Sequence, residues 1–382
     1  MKIAALFAGI GGLELGLHRA GHSTHVFCEI DPGATRVLKT RFGDIRHHKD
    51  IRSLKSLPSG IDLVTAGFPC QDLSQAGLTR GIAGSNTGLV SHVFRLLKKY
   101  DVPNVLFENV PFMLQLRRGQ AIRHLVLVLE QLGYNWAYRV IDARSMGIPQ
   151  RRLRVFLVAS KQHLPWNVLF RRSHEPSESQ YSGVESCGFY WTEGNTGLGW
   201  AVEALPAIKG GSGLGIPSPP AIWLPNGRVV TPDIRDAERL QGFRAGWTKP
   251  AEFVTKPSHR WTLVGNAVCV KASEWIGSCL KSLPEARNTG FDTFDFDEDR
   301  AWPTAAFGEA NGHRAGAAVS SWPCKRQIPN LMSFLKYVPR DLSLRAVSGF
   351  IDRLTDSSLR YPAAFLHDLR DHKSRMETRD SG

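Results

Sequence analysis

The 382-residue sequence predicts an α/β fold, an open and mostly parallel sheet with helices, joined to a smaller irregular unit. Three stretches carry the prediction. Residues 2–7 form a short apolar run that breaks into Phe7-Ala8-Gly9-Ile10-Gly11-Gly12, and residues 13–20 continue as a helix. Ile61-Asp62-Leu63-Val64-Thr65-Ala66 has the pattern of a buried strand, stopped by Gly67 and Pro69. Val105-Leu106-Phe107 repeats that pattern and ends in Glu108-Asn109-Val110.

Composition bounds the protein class. A hydrophobic share of 42% and a charged share of 22% are those of an ordinary globular chain, long enough for two or three domains. No apolar run approaches the ~20 residues that cross a bilayer. Lys2 and the short run after it do not read as a secretory signal. Cys28, Cys70, Cys187, Cys269, Cys279 and Cys324 are scattered, with no metal-type pairs. This spacing fits a reduced, cytoplasmic setting and predicts neither a disulfide framework nor a metal site. The formal net charge of +13 suits a polyanionic partner, although basic chains without one are common.

Taken in order, the glycine turn after the first strand lets backbone approach a ligand closely. The second strand, Val26-Phe27-Cys28, ends at Glu29, where a nucleotide-binding βαβ unit places an acid against ribose hydroxyls. Asp50-Ile51 closes a third βα unit, and Asp50 would also serve as a helix N-cap. The strand at 61–66 delivers Cys70 to the sheet edge where open α/β folds bind ligands. A cysteine there is either a small buried hydrophobe or a nucleophile. Pro69, Gln71, Asp72 and the Gly/Ser-rich stretch to Ser85 favour an exposed loop. The strand at 105–107 brings Glu108 to the same edge. Residues 112–132 have helical spacing, with Arg117, Arg118 and Arg123 on a solvated face. Residues 136–141 and 155–159 are strands, and Gln150, Arg152 and Arg154 precede the second as either a basic surface or substrate contacts. From about 160 to 232, glycine, serine and tryptophan replace helical periodicity, as in a domain of short strands and loops. Residues 231–243 form a helix with a Thr-Pro start and a Gly stop, and residues 269–280 form another. Residues 291–299 are acidic and linker-like, and 343–354 and 362–375 are helices with Ser343 and Pro362 as starts.

Pro69-Cys70-Gln71 followed by Glu108-Asn109-Val110 resembles the DNA cytosine-5 methyltransferase family of prokaryotic restriction–modification type. The glycine turn, Asn86-Thr87-Gly88-Leu89, Gln150-x-Arg152-x-Arg154, Arg239-Leu240-Gln241-Gly242-Phe243 and Gly265-Asn266-Ala267-Val268 follow in the family's order over roughly residues 1–281. Departures fall at Leu73, at Leu78-Thr79 and before Asn86, where the family carries phenylalanine, basic residues and Arg-Gly.

The resemblance implies a Rossmann-like S-adenosylmethionine-dependent methyltransferase sheet. It implies a catalytic and cofactor-binding domain over 1–160, completed by 255–285, and a target-recognition domain over 161–254. A helical extension over 286–382 lies outside it; packing on the main body, dimerisation and a second DNA contact are its candidate roles. The catalytic residues it implies are Cys70, Glu108, Arg152 and Arg154. Cys70 would add to cytosine carbon 6, Glu108 would bond ring nitrogen 3 and the exocyclic amine, Arg154 would meet the carbonyl at position 2, and Arg152 would orient the site and a nearby phosphate. The implied cofactor contacts are Phe7, Gly9, Gly11, Gly12, Glu29, Asp50, Ile51, Pro69, Leu89 and Asn266. The implied DNA contacts are Ser74, Gln75, Arg80, Gln150 and Arg239. Double-stranded DNA is the expected partner and a cognate restriction endonuclease a functional one, with a monomer in the cytoplasm, associated with the nucleoid. The competing expectations are a tRNA methyltransferase of the same fold, whose Cys-Phe-Thr tripeptide this sequence lacks, and a non-catalytic DNA-binding regulator, against which the intact Pro69-Cys70-Gln71 and Glu108-Asn109-Val110 stand.

Overall fold

A computed structural model of the protein describes residues 1–69, 88–193, 195, 197–210, 217–282 and 290–380. They form two compact units. The first comprises Met1–Met146, Leu153–Pro176 and Ala267–Lys325. It is built on β1 (Lys2–Leu6), β2 (Ser23–Cys28), β3 (Arg46–His48), β4 (Leu63–Ala66), β5 (Asn104–Asn109), β6 (Asn135–Asp142), β8 (Leu153–Ser160), β14 (Thr293–Phe294), β15 (Ala305–Gly308) and β16 (Arg314–Ala317). These strands lie in the order β14-β16-β15-β6-β8-β5-β4-β1-β2-β3. The pairs from β3 to β5 are parallel, and those from β5 outward to β14 are antiparallel. β4 and β5 are buried along their whole length, which is why Leu63-Val64 and Val105-Leu106-Phe107 within them read as apolar runs.

The helices of this unit are α1 (Gly12–Arg19), α2 (Pro32–Phe42), α3 (Leu89–Tyr100), α4 (Gln120–Gln131), α5 (Trp166–Leu169) and α8 (Val270–Lys281). α2 starts on a cap in which the Asp31 side chain accepts from the Ala34 N–H, with Pro32 at its first position. Val64, Val93, Leu97, Phe107, Leu125, Leu129 and Trp136 share one core. α8 lies close against α1, because a Cβ on Gly16 would come within 2.5 Å of the Val270 carbonyl and the Glu274 nitrogen. Ser273 Oγ donates to the Leu13 carbonyl across the same contact. The late helix therefore buttresses the helix that follows the glycine turn.

Two elements differ from expectation. The helix expected from residue 112 begins only at Gln120. Arg117, Arg118 and Gly119 have φ of 51°, 56° and 84°, a left-handed path that ends helical hydrogen bonding, and residues Pro111–Leu114 form a separate 3₁₀ turn. The 286–382 stretch is not helical throughout, since β14, β15 and β16 extend the main sheet beyond β6. Glycine stands at two of their positions because a ring covers each: a Cβ on Gly308 would meet Trp136 at 2.6 Å, and one on Gly316 would meet Phe294 at 2.4 Å.

The second unit comprises Gly147–Arg152, Ser177–Asn266 and Arg326–Gly382. Its strands are β7 (Gln150–Arg151), β9 (Cys187–Phe189), β10 (Ala201–Val202), β11 (Leu205–Pro206), β12 (Ala221–Trp223), β13 (Val229–Thr231) and β17 (Arg340–Asp341). Five form an antiparallel sheet in the order β10-β9-β12-β13-β17, and β11 pairs with β7. Its helices are α6 (Ile234–Leu240), α7 (His259–Asn266), α9 (Leu331–Phe334), α10 (Leu344–Thr355) and α11 (Ala363–Asp380). α6 is capped by Asp233 in place of the expected Thr-Pro start, whereas Ser343 caps α10 as its position predicts. The core joins Cys187, Phe189, Trp223 and Val229 to Leu342, Val347, Phe350, Phe365 and Leu369. The last 57 residues named here, 326–382, thus supply half of the apolar centre of this unit.

Candidate active site

β4 and β5 run parallel with Ala66 opposite Phe107, so the chain leaving β4 passes beside Glu108 and Asn109. Asn109 Nδ2 donates to the Phe68 carbonyl at 3.0 Å, and Asn109 Oδ1 accepts from the Val110 N–H at 2.9 Å. Phe68 is buried edge-on to Phe107, ring centroids 5.4 Å apart. A Cβ on Gly67 would sit 3.3 Å from Glu108 Oε2, closer than most side chains tolerate. Glycine, the anchored Phe68 carbonyl and exposed Pro69 fix the path of the chain directly ahead of position 70. Cys70 itself lies outside the described residues, as do Ser74, Gln75 and Arg80.

Glu108 is paired. Its Oε1 stands 3.1 Å from Arg154 Nε, and the two side chains are only 10% and 15% exposed. The antiparallel register of β5 and β8, Glu108 opposite Phe156, brings Arg154 diagonally across to it. So dry an ion pair adds little net stability, but it fixes the direction of both groups. Two of the four expected catalytic side chains are thereby brought together.

Arg152 is placed differently. It is 1% exposed, and its guanidinium donates to the carbonyls of Ile208 and Gly265 within the second unit. These two bonds brace the second unit around Arg152. Gln150 follows the same rule: it is fully buried, donates to the Leu240 carbonyl and accepts from Ile208 N–H. Arg239 bonds Asp236 and the Phe334 carbonyl. Gln150 and Arg239 Nη1 are thus engaged by the unit's own chain.

At the glycine turn, Glu29 Oε2 accepts from Gly9 N–H at 2.7 Å and Oε1 from Asp31 N–H at 2.8 Å. Burial raises the Glu29 pKa against these two bonds. Gly9 has φ of +54°, and among the described residues no atom lies within 4 Å of where its Cβ would be. Phe7 also has a positive φ, 54°. Gly11 has another cause: its Cβ would strike the Phe42 ring at 2.4 Å. Gly12 is buried at the start of α1. Asp50 takes Arg52 through both oxygens, the shorter at 2.6 Å, and also accepts from Arg52 N–H. The hydrogen bonds from Arg52 hold its carboxyl at about 2, and it caps a turn where a helix start was the competing expectation. Ile51 packs into the core, and Leu89 opens α3 at the core's edge. Asn266 is exposed at the end of α7 in the second unit.

Two residues here escaped the sequence. Ile30, next to Glu29, is an apolar side chain left 54% exposed. Glu14 on α1 is fully buried, accepts from Thr65 Oγ1 of β4 at 2.8 Å, and has no partner for Oε2 among the described residues. Burial pushes its carboxyl up to about 7. The folded state then binds a proton that the unfolded chain releases near 4.5, so this site loses stability as pH rises from there through about 7. Glu14→Gln keeps an acceptor for Thr65 and removes the titration. The expected result is equal stability near pH 4 and a gain of roughly 3 kcal/mol at pH 8, read by denaturant unfolding at both values; an equal effect at both would exclude the buried carboxyl as its cause.

The chain matches the family model described as C-5 cytosine-specific DNA methylase over residues 1–189. It is 45% identical to Type II methyltransferase M2.BsuMI of Bacillus subtilis (strain 168), over 98% of this chain and 99% of that one. Type II methyltransferase M.NlaX of Neisseria lactamica is 29% identical over 75% of this chain and 97% of its own length. Among solved structures, S. pombe Dnmt2 methyltransferase shares the fold, with a TM-score of 0.54 at 18% identity, covering 74% of this chain and 98% of that one. A glycine turn backed by Glu29, the Gly67-Phe68-Pro69 segment beside Glu108 and near-full-length likeness to M2.BsuMI converge, and the chain belongs to the C-5 cytosine-specific DNA methylases.

Proposed function

We propose that Cys70 is the nucleophile of this chain's methyl transfer, with Glu108 and Arg154 holding the target base. The reaction, methylation of cytosine carbon 5 in DNA with S-adenosylmethionine as donor, is that of the family, as are the covalent cysteine adduct and base flipping. The observation that carries the assignment is the Glu108–Arg154 pair beside the anchored Gly67-Phe68-Pro69 segment.

Cytosine carbon 5 is a poor nucleophile. A thiolate adding at carbon 6 makes the ring an enamine, which attacks through carbon 5. The thiolate must be formed first, because a free thiol with pKa about 8.5 is only a few per cent ionised at neutral pH. Negative charge then builds on the ring; Glu108 passes a proton to nitrogen 3 and accepts from the exocyclic amine, while Arg154 donates to the carbonyl at position 2. Their mutual ion pair sets both at one edge before the base arrives. When bound, S-adenosylmethionine supplies an electrophilic methyl sulfonium. Loss of the carbon 5 proton to a base then lets the Cys70 sulfur leave.

Glu29 suits the cofactor's ribose: each of its oxygens accepts one backbone N–H and keeps lone-pair capacity for a hydroxyl. The open side of Gly9 leaves the backbone approachable, and exposed Ile30 offers an apolar face to a purine. Glu29→Ala should weaken S-adenosylmethionine binding by about 1–3 kcal/mol. Calorimetry showing unchanged affinity would remove Glu29 from the pocket.

The likeness to M2.BsuMI supports a type II restriction–modification role with a cognate endonuclease, in the cytoplasm at the nucleoid. No helix among the described residues is long and apolar enough to cross a membrane. Incubating the protein with duplex DNA and labelled S-adenosylmethionine, then mapping methylated bases, tests this function. Label at carbon 5 of cytosine in one sequence context is expected; label in RNA alone would overturn it.

A further inference from the structure

The second unit holds a basic pocket that the methyl-transfer chemistry leaves unused. It is a cavity of about 320 Å³ between the turn that joins β12 to β13 (Asn226, Arg228), β17 (Asp341) and α11 (His372, Arg375, Arg379). Asp341 holds two of the arginines, accepting from Arg228 Nη2 at 2.7 Å and from Arg379 Nη1 at 3.2 Å. Arg375 Nη2 donates to the Gly227 carbonyl at 3.0 Å. Three guanidiniums are thus steered to one place by a single carboxylate and one carbonyl, which leaves an excess of two positive charges. His372 does not alter that balance. Its Nδ1 accepts from Val229 N–H at 3.4 Å, its Nε2 donates to the Leu342 carbonyl at 2.8 Å, and burial lowers its pKa.

Each guanidinium carries five N–H donors in a rigid fork, and the bonds above use one apiece. Arg228 and Arg379 keep 47% and 71% of their side-chain surface exposed. Such an array matches an oxyanion with several acceptor oxygens. The one ring in the lining, His372, is 1% exposed and held by the Val229 N–H and the Leu342 carbonyl, so it offers no face to a base. The hairpin belongs to the stretch expected to read DNA, and β17 and α11 are built into the same sheet and core.

We propose that Arg228, Arg375 and Arg379 clamp a backbone phosphate of the DNA substrate, making residues 326–382 part of the DNA-binding surface. The clamp rests on the DNA methylase function above. Phosphate contacts position a protein without reading sequence, so the clamp should act alike on every duplex.

The test uses the full-length protein and its R375Q/R379Q and N226D variants, with duplex affinity measured from about 50 to 300 mM salt. N226D keeps an acceptor for Arg228 N–H, a bond of 3.2 Å in this structure, and sets a negative charge at the pocket's mouth, so it decides the matter even if the double variant folds poorly. Affinity should fall roughly tenfold at low salt, with the plot of log K against log salt shallower by about one phosphate contact. The loss should be equal on DNA with and without the methylated sequence, with unchanged site choice and S-adenosylmethionine affinity. Unchanged affinity and salt slope in N226D, with wild-type protein binding duplex normally, would overturn the clamp. Absence of duplex binding by the wild-type protein would instead bring down the DNA function, and the clamp with it.

Discussion

Cys70→Ser should reduce methyl transfer to background, a fall of about 10³-fold or more, with S-adenosylmethionine affinity near wild type. The substitution changes one atom, so the loss isolates nucleophilicity. A serine hydroxyl is far less ionised than a thiol at neutral pH and adds poorly to an aromatic ring. The route of the chain ahead of residue 70 is set by groups the substitution does not touch: the Phe68 carbonyl held by Asn109 and the space left by Gly67 beside Glu108. Gly9 and Glu29, proposed above to meet the cofactor, follow β1 and β2 rather than β4. Labelled-methyl incorporation close to wild type, with calorimetry confirming bound cofactor, would remove Cys70 from the chemistry.

The second large effect concerns specificity. Exchanging the recognition region for that of a relative should move the methylated sequence completely while sparing the chemistry, since each good base-edge contact is worth roughly 1–3 kcal/mol of discrimination. The second unit sets what must be exchanged. A graft of 161–254 alone would set foreign residues at Cys187, Phe189, Trp223 and Val229 against native Leu342, Val347, Phe350, Phe365 and Leu369. Mismatched cores of this kind leave cavities that cost several kcal/mol. The graft should therefore carry 177–266 together with 326–382. The expected outcome is a folded enzyme with the donor's sites, read by base-resolution mapping. A folded, active chimera that still methylates the original sequence would place specificity in the first unit.

The sheet that positions the site was legible because its central strands are buried on both faces and end abruptly. The runs 61–66 and 105–107 stop at Gly67 and at Glu108, and the two strands lie side by side in the structure. Glu29 was legible from its place after β2. The edge strands β14 to β16 were not, since β14 is only two residues long and the alanines and glycines of β15 and β16 carry no apolar periodicity. Nor was the break at Arg117 and Arg118, because nothing in an arginine announces a positive φ. The burial of Arg152 and Gln150 was not legible either: polar side chains suggest surface, but a guanidinium or amide that donates to main-chain carbonyls can be buried as a brace. Glu14 was masked by its neighbours, an acid between Leu13 and Leu15 on a helix whose far side is covered by α8.

The claim that Cys70 attacks carbon 6 is tested most directly by duplex DNA carrying 5-fluorocytosine at the methylated position. After methyl transfer, carbon 5 bears fluorine where a proton would leave, so the ring cannot expel the sulfur and the adduct persists. With S-adenosylmethionine present, digestion and mass spectrometry should find the methylated fluorocytosine on the peptide containing Cys70, and Cys70→Ser should give none. An adduct on any of the other cysteines, or none with active enzyme, would contradict the account.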